Sequence, residues 1–325
     1  MSRPLVRWVV PDAGETLAEL ALRLGARDAV AEGRLFVDGR RAGDPDLRVA
    51  AGSVVEVHAA RDGAAPITIL GEHGGLVFVS KPAGVATEPD HAGVAASLVA
   101  RVETELGLAR GALHAVSRLD VGVSGVVTLA RDEHGRELAA RLRARGGFRR
   151  RYVALAPRAP EPPSGSWTWA LPRKLRGASG RGAAHGAGES ERAAETAYAT
   201  VAEAGSVYLP ERSRTRVPVR PALLALSPVT GRTHQLRLHA ERAGTPLFGD
   251  AEHGGALRVI LADGSVHALE RVLLHAAWVE LAGERERFHV EAPPPADFRA
   301  LWTKLGGAAE AWTRAVEIAL PDVRS

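Results

Sequence analysis

Residues 113–132 read LHAVSRLDVGVSGVVTLARD, and no other stretch of this chain carries as much information. Its second half, Val126 to Ala130, is a short apolar, β-branched run, the pattern of a buried strand. Gly122 and the Ser124-Gly125 pair mark a turn leading into it. Asp120 stands just before that turn and is the only carboxylate between Glu105 and Asp132, with Arg118 two residues upstream. On local sequence alone the better reading of Asp120 is a turn cap beside Gly122.

Outward from this stretch, strands and helices alternate irregularly. Leu76 to Val79 reads as a buried strand closed by a Lys81-Pro82-Ala83-Gly84 turn. Val94, Leu98, Val102 and Leu106 recur every four residues, one face of a helix. Arg136 to Arg145 is a helix with Leu138 and Leu142 inward and arginines outward. Tyr152–Ala156, Thr196–Ala202, Leu223–Leu226 and Ala276–Leu281 read as strands, Gln235–Arg242 as a helix, and 296–318 as closing helices that carry Trp302 and Trp312. Leu175 to Ala194 is rich in Gly, Ala, Ser and charge, the composition of a flexible surface loop.

Residues 12 to 58 have the look of a separate module. Glu15–Leu24 and Ala26–Glu32 predict two short helices, with Gly33 as a left-handed cap. Arg34–Val37 and Ser53–His58 predict strands, and Asp38-Gly39 a tight hairpin turn. The AARDGAAP run at 59–66 reads as a linker of small and breaker residues.

Composition narrows the class without choosing a function. With 325 residues, 46% hydrophobic and 25% charged, the chain can bury one large core or two unequal ones. No apolar run reaches the roughly 20 residues that span a bilayer, and the N-terminus lacks a signal-peptide pattern, so a cytoplasmic protein without membrane partners is expected. With no cysteine, disulfides and thiolate metal sites are excluded. Net charge is only +4, yet Lys81, Lys174 and Lys304 are the sole lysines, so the positive charge is almost all arginine. Arginine suits phosphate contact and base stacking, but the same composition fits high-GC codon usage.

Several blocks in order carry a stronger signal. The R-L-D of 118–120, LVFVSKPAGVATEP at 76–89, the basic-x-Tyr strand RRYVAL at 150–155, and SPVTGRTHQLRLHAERAGTPLFGD at 227–250 together resemble the RluA-type pseudouridine synthases. The run ARDAVAEGRLFVDGRRAGDPDLRVAAGSVVEV within the N-terminal module resembles an S4-type RNA-binding domain. The resemblance implies an α+β protein: a catalytic domain at 63–325 around a mixed, mainly antiparallel sheet, with an S4-like module at 1–62.

It also implies roles. Asp120 would be the nucleophile that isomerises a uridine in structured RNA. A lone carboxylate suits that chemistry, since glycoside hydrolysis ordinarily uses two. Arg237 would pair with Asp120 and lower its pKa, with Arg232 the second candidate. Tyr152 would stack on the flipped base. Arg118 would fill the gap left by that base, Lys81 would be structural or contact the RNA backbone, and Arg150, Arg151 and Arg232 would bind RNA. No metal or other cofactor is called for, and His234 and His239, five apart, are assigned to packing because zinc-binding histidines on a helix sit four apart.

The pattern departs from the family at two positions: Ser117 stands where histidine is usual, and Val123 where threonine is usual. The expected substrate is ribosomal rather than transfer RNA, and the expected state a monomer. The alternative is a non-catalytic RNA-binding or ribosome-assembly protein on the same fold. A metal-dependent hydrolase is disfavoured by the absent cysteines and the histidine spacing.

Overall fold

A computed structural model describes residues 6–11, 14–58, 66–91, 93–172, 191–210, 216–284 and 286–321. All but the last residue of the linker reading at 59–66, and most of the flexible-loop reading at 175–194, fall outside them. Of the described part of the latter, 191–194, the strand Glu191–Arg192 pairs antiparallel with Leu171–Pro172. The chain divides into two compact units: Met1–Val121 with Val127–Arg136, and Gly122–Val126 with Glu137–Ser325. Among the described residues no helix is long and apolar enough to cross a membrane.

In the first unit, Thr16 and Glu19 form a reciprocal capping box, so the helix starts at Leu17 and runs Leu17–Arg23. Leu17, Leu20 and Ala21 turn inward onto Leu35, Val55 and Val57, a core confined to the N-terminal residues. The strands there are Val6–Val9, Val54–Val57, Leu35–Val37 and Arg40–Arg41, antiparallel in that order. Asp38 and Gly39 both have positive φ, as the tightest hairpin turn requires. The second expected helix is reduced to one 3-10 turn, Arg27–Ala29; seven residues without a side-chain cap are too few to nucleate more. The same unit holds the hairpin Thr68–His73/Leu76–Lys81 and the helix Leu98–Glu105. That helix begins four residues later than its apolar period because the Ser97 hydroxyl caps it.

The second unit is built on antiparallel strands in the order Ser164–Trp167, Thr196–Glu203, Ala222–Pro228, Phe148–Ala156 and Leu274–Ala282. The far edge of Leu274–Ala282 is shared. His275 and Ala276 pair in parallel with Ser124 and Gly125, and Trp278 to Ala282 pair antiparallel with Arg287–Glu291. The sheet is thus mixed and mainly antiparallel, as the sequence implied. The C-terminal helices Ala296–Lys304 and Ala311–Glu317 cover one face through Phe298, Leu301, Trp302 and Ala315. A smaller four-stranded sheet, Arg216–Val219, Val207–Pro210, Arg258–Ile260 and Val266–Ala268, was not legible in the sequence.

Candidate active site

Asp120 is half-exposed, on a loop whose neighbours are all fastened. Before it, the Ser117 hydroxyl, buried, accepts the Thr128 N–H at 2.9 Å. The Thr87 hydroxyl donates to the Leu119 carbonyl at 3.0 Å and accepts the Leu119 N–H at 3.1 Å. After it, the Val121 carbonyl accepts from the Gly84 N–H at 2.7 Å and from Lys81 Nζ at 3.3 Å. Asp120 therefore has little backbone freedom, although the residue is not sealed from solvent.

Of the two roles open to Lys81, the structural one holds and the RNA contact is corrected. Lys81 is fully buried, and its ammonium also donates to the Pro82 and Val85 carbonyls at 3.0 and 2.7 Å. It ties the K-P-x-G turn to the Asp120 loop and cannot touch an RNA backbone. Thr87, from the same block, had been given no role; only its burial reveals the clamp. Arg118 projects outward and pairs with Glu88 at 3.1 Å, both well exposed, a contact that holds it loosely.

Tyr152 lies buried in the strand Phe148–Ala156. It pairs with Leu226 on one side and Ala276 on the other, and Ala276 pairs in turn with Gly125. Tyr152 thus stands two strands from Gly125 within the second unit. At Gly125 φ is +115°, and a Cβ there would lie 2.1 Å from the Ala276 carbonyl oxygen, so only glycine fits. Its neighbour Ser124 meets the buried His275: Oγ lies 2.9 Å from Nδ1, while Nε2 lies 2.9 Å from the Ala292 carbonyl. A carbonyl can only accept, so Nε2 carries the proton and Nδ1 accepts from serine. Burial pushes the His275 pKa down to about 4.

Strict alternation would turn Arg149 and Arg151 outward together. A bulge breaks it: Tyr152 faces Ala276 but Arg151 faces Trp278, leaving Ala277 unmatched. Arg149 is exposed beside Glu280, and Arg151 is buried. Arg151 donates to the Ile318 and Ala315 carbonyls at 2.9 and 3.3 Å and lies 5.3 Å over the Trp278 ring. Desolvation lowers its pKa to about 10. Its place among the RNA contacts is likewise corrected: it bolts the C-terminal helix to the sheet. Half-buried Arg150 donates to the Pro228 and Thr230 carbonyls, and Arg232, also half-buried, to Ala193.

Those contacts knot the segment between the strand Ala222–Pro228 and the helix Gln235–Arg242. Gln235 ties it: Oε1 accepts from Thr230 Oγ1 and the Arg232 N–H, and Nε2 donates to the Glu195 carbonyl and Thr196 Oγ1. Two residues on, Arg237 is 6% exposed. Its Nε and Nη2 donate to Asp250 at 2.8 and 2.6 Å, and Nη2 also to Glu252 at 2.9 Å. Burial opposes ionisation of both acids, but the guanidinium prevails and holds each below its ordinary pKa. Sequence reasoning quoted Asp250 within its motif and missed both partners. His239 is fully buried between Thr196 and the Trp169 carbonyl, in the packing role expected of it.

A family model described as RNA pseudouridylate synthase matches residues 75–242, over half of the chain and all four of the blocks read above in large part. RNA pseudouridine synthase 2, chloroplastic, of Oryza sativa subsp. japonica is 28% identical over 210 residues, covering 58% of this chain and 44% of its own length. The chain thus spans less than half of that relative. Ribosomal large subunit pseudouridine synthase C of Escherichia coli is 36% identical over 106 residues, 30% of this chain and 33% of that protein. Human RNA Pseudouridylate Synthase Domain Containing 1 superposes with a TM-score of 0.54 at 18% identity, over 79% of this chain and 97% of its own, a likeness of fold.

Proposed function

Because the chain belongs to the RNA pseudouridylate synthase family, we propose that it isomerises one uridine of a structured RNA to pseudouridine, with Asp120 as nucleophile. The fastening of residues 117, 119 and 121 around a half-exposed Asp120 is the observation that supports this most directly. Catalysis by a positioned group needs that group held in place, and three independent clamps hold this one. The carboxylate opens the glycosidic bond by attack at C1′ or by removing a sugar proton. The base then turns, C5 joins C1′, the C5 proton departs, N1 takes up a proton, and any sugar proton removed is returned, so the product is an isomer of the substrate.

Tyr152 lies under the flipped base in this reading, and Arg237, aimed by Asp250 and Glu252, steadies the Asp120 carboxylate. Arg118 exchanges its loose partner Glu88 for RNA, while Arg150 and Arg232 line the approach. The N-terminal module, residues 1–62, acts as an S4-like RNA grip beside a catalytic domain at 63–325. Large-subunit ribosomal RNA is the proposed substrate, in line with the name of the E. coli relative. The protein is taken to work as a cytoplasmic monomer.

The test maps pseudouridine by carbodiimide reaction and primer-extension stops in RNA from cells with and without the gene. One lost stop, restored by the wild type but not by Asp120→Asn, is expected. Full restoration by Asp120→Asn would remove Asp120 as nucleophile.

A further inference from the structure

Beside Arg237 lies a group that joins its partner Glu252 to two histidines the proposed isomerisation does not use: His234, Glu252 and His253 have one ligand-type atom of each within 4.8 Å of the others. We propose that these three residues bind one divalent transition-metal ion of the zinc class.

The spacing suits it. A zinc ion with bonds of about 2.0–2.1 Å in tetrahedral geometry separates its ligand atoms by roughly 3.4 Å. His234 Nδ1 lies 3.0 Å from His253 Nε2 and 3.6 Å from the Glu252 carboxylate, one contact slightly inside that value and one slightly outside. Two imidazoles and one carboxylate select zinc or cobalt over magnesium or calcium, which want oxygen alone. The donor set leaves a fourth position, and Glu252, more than half exposed, keeps the group open to ions from solvent.

Two further observations point the same way. His234 has φ of +53°, one of two non-glycine residues in the left-handed region among the described residues. The strain of such a backbone persists where the surroundings fix it, and here it aims an imidazole at Glu252 and His253. On the far side of His253, Nδ1 lies 3.5 Å from Glu241, the carboxylate–histidine pairing that orients metal ligands. The loop is preformed as well, since Asp250 accepts the backbone N–H groups of Glu252 and His253, each at 3.2 Å.

The proton inventory closes. Without metal, the 3.0 Å contact between the rings requires one proton between His234 Nδ1 and His253 Nε2. On metal binding that proton moves to the other nitrogen of its ring. For His253 this is Nδ1, which then donates to Glu241.

The experiment is a Co(II) titration of the metal-stripped full-length protein, read by visible absorption and by calorimetry. One equivalent should bind with the intense visible bands of four-coordinate cobalt. His253→Gln should lose those bands and weaken binding at least about a hundredfold, and Glu241→Gln should weaken it about tenfold. Glu241 is well exposed, so its variant decides the matter should His253→Gln fail to fold. Binding that is not one-to-one, that lacks the bands, or that is unchanged in the variants would overturn the proposal and place any cobalt on others of the 12 histidines. The readout involves neither RNA nor turnover, so its failure leaves the synthase reading standing.

Discussion

Thr87→Val removes one hydroxyl from the Asp120 loop and leaves the side-chain volume almost unchanged. That hydroxyl serves both backbone groups of Leu119, the residue before Asp120, at 3.0 and 3.1 Å. Thr87 is 4% exposed and Leu119 8%, so water does not readily replace it. A buried backbone group left without a partner costs about 1–3 kcal/mol, so two set an upper bound of about 6 kcal/mol. The clamps at Ser117 and Val121 persist, and partial swinging of Leu119 toward solvent relieves some of that, giving an expected loss of about 2–4 kcal/mol. The same swing misplaces Asp120. Denaturant unfolding should report the stability loss, and single-turnover kinetics on the target RNA should show kcat down by at least about tenfold with Kd within about twofold. Thr87→Ser keeps the hydroxyl and should recover most of the rate. A Thr87→Val protein that is destabilised yet turns over at the wild-type rate would refute the argument that this clamp positions the nucleophile.

Gly125→Ala forces a Cβ to within 2.1 Å of the Ala276 carbonyl oxygen at φ +115°; backbone cannot yield as a side chain does, and a loss above about 3 kcal/mol is expected, read as a fall in Tm or in soluble yield. His275 gives a pH signature: the unfolded chain takes up its proton near pH 6.5 and the folded one only near 4, so its contribution is complete above 6.5 and fades as pH falls toward 4. Titrating stability from pH 7 to 4 should cost the wild type about 3 kcal/mol more than His275→Gln, and parallel curves would show that His275 is not the group responsible.

How much of this was legible in the sequence depended on whether burial could be inferred from residue type. Apolar runs gave the central strands to within a few residues, and the capping residues Thr16 and Ser97 explain why two helices begin later than their periods. Positive charge misled. The resemblance implies an RNA contact for Arg151 and a structural or RNA-backbone role for Lys81, and basic residues are mostly exposed, yet both serve backbone carbonyls inside the protein. No local signal distinguishes Arg151 from Arg149; the bulge opposite it lies on a strand more than a hundred residues away. For the same reason the Arg237–Asp250 pair emerged only in three dimensions, although both residues lay within one quoted block.

The two departures from the family pattern now bear on the non-catalytic alternative, which drew its support from them. Both are scaffold positions. Ser117 is buried and closes the loop on Thr128 through its own hydroxyl, and Val123 is buried just before the strand Ser124–Ala130. Both side chains are buried, so exchanging them alters how the loop is braced. A protein released from catalysis would have no need to hold a half-exposed aspartate by Thr87, Gly84 and a desolvated lysine, since burying an ammonium is costly unless its hydrogen bonds are met. All three supports come from residues 81–87, some thirty residues upstream of the loop they hold. Retaining so expensive an arrangement around Asp120 while relaxing only its bracing is what an active enzyme with a divergent loop would do.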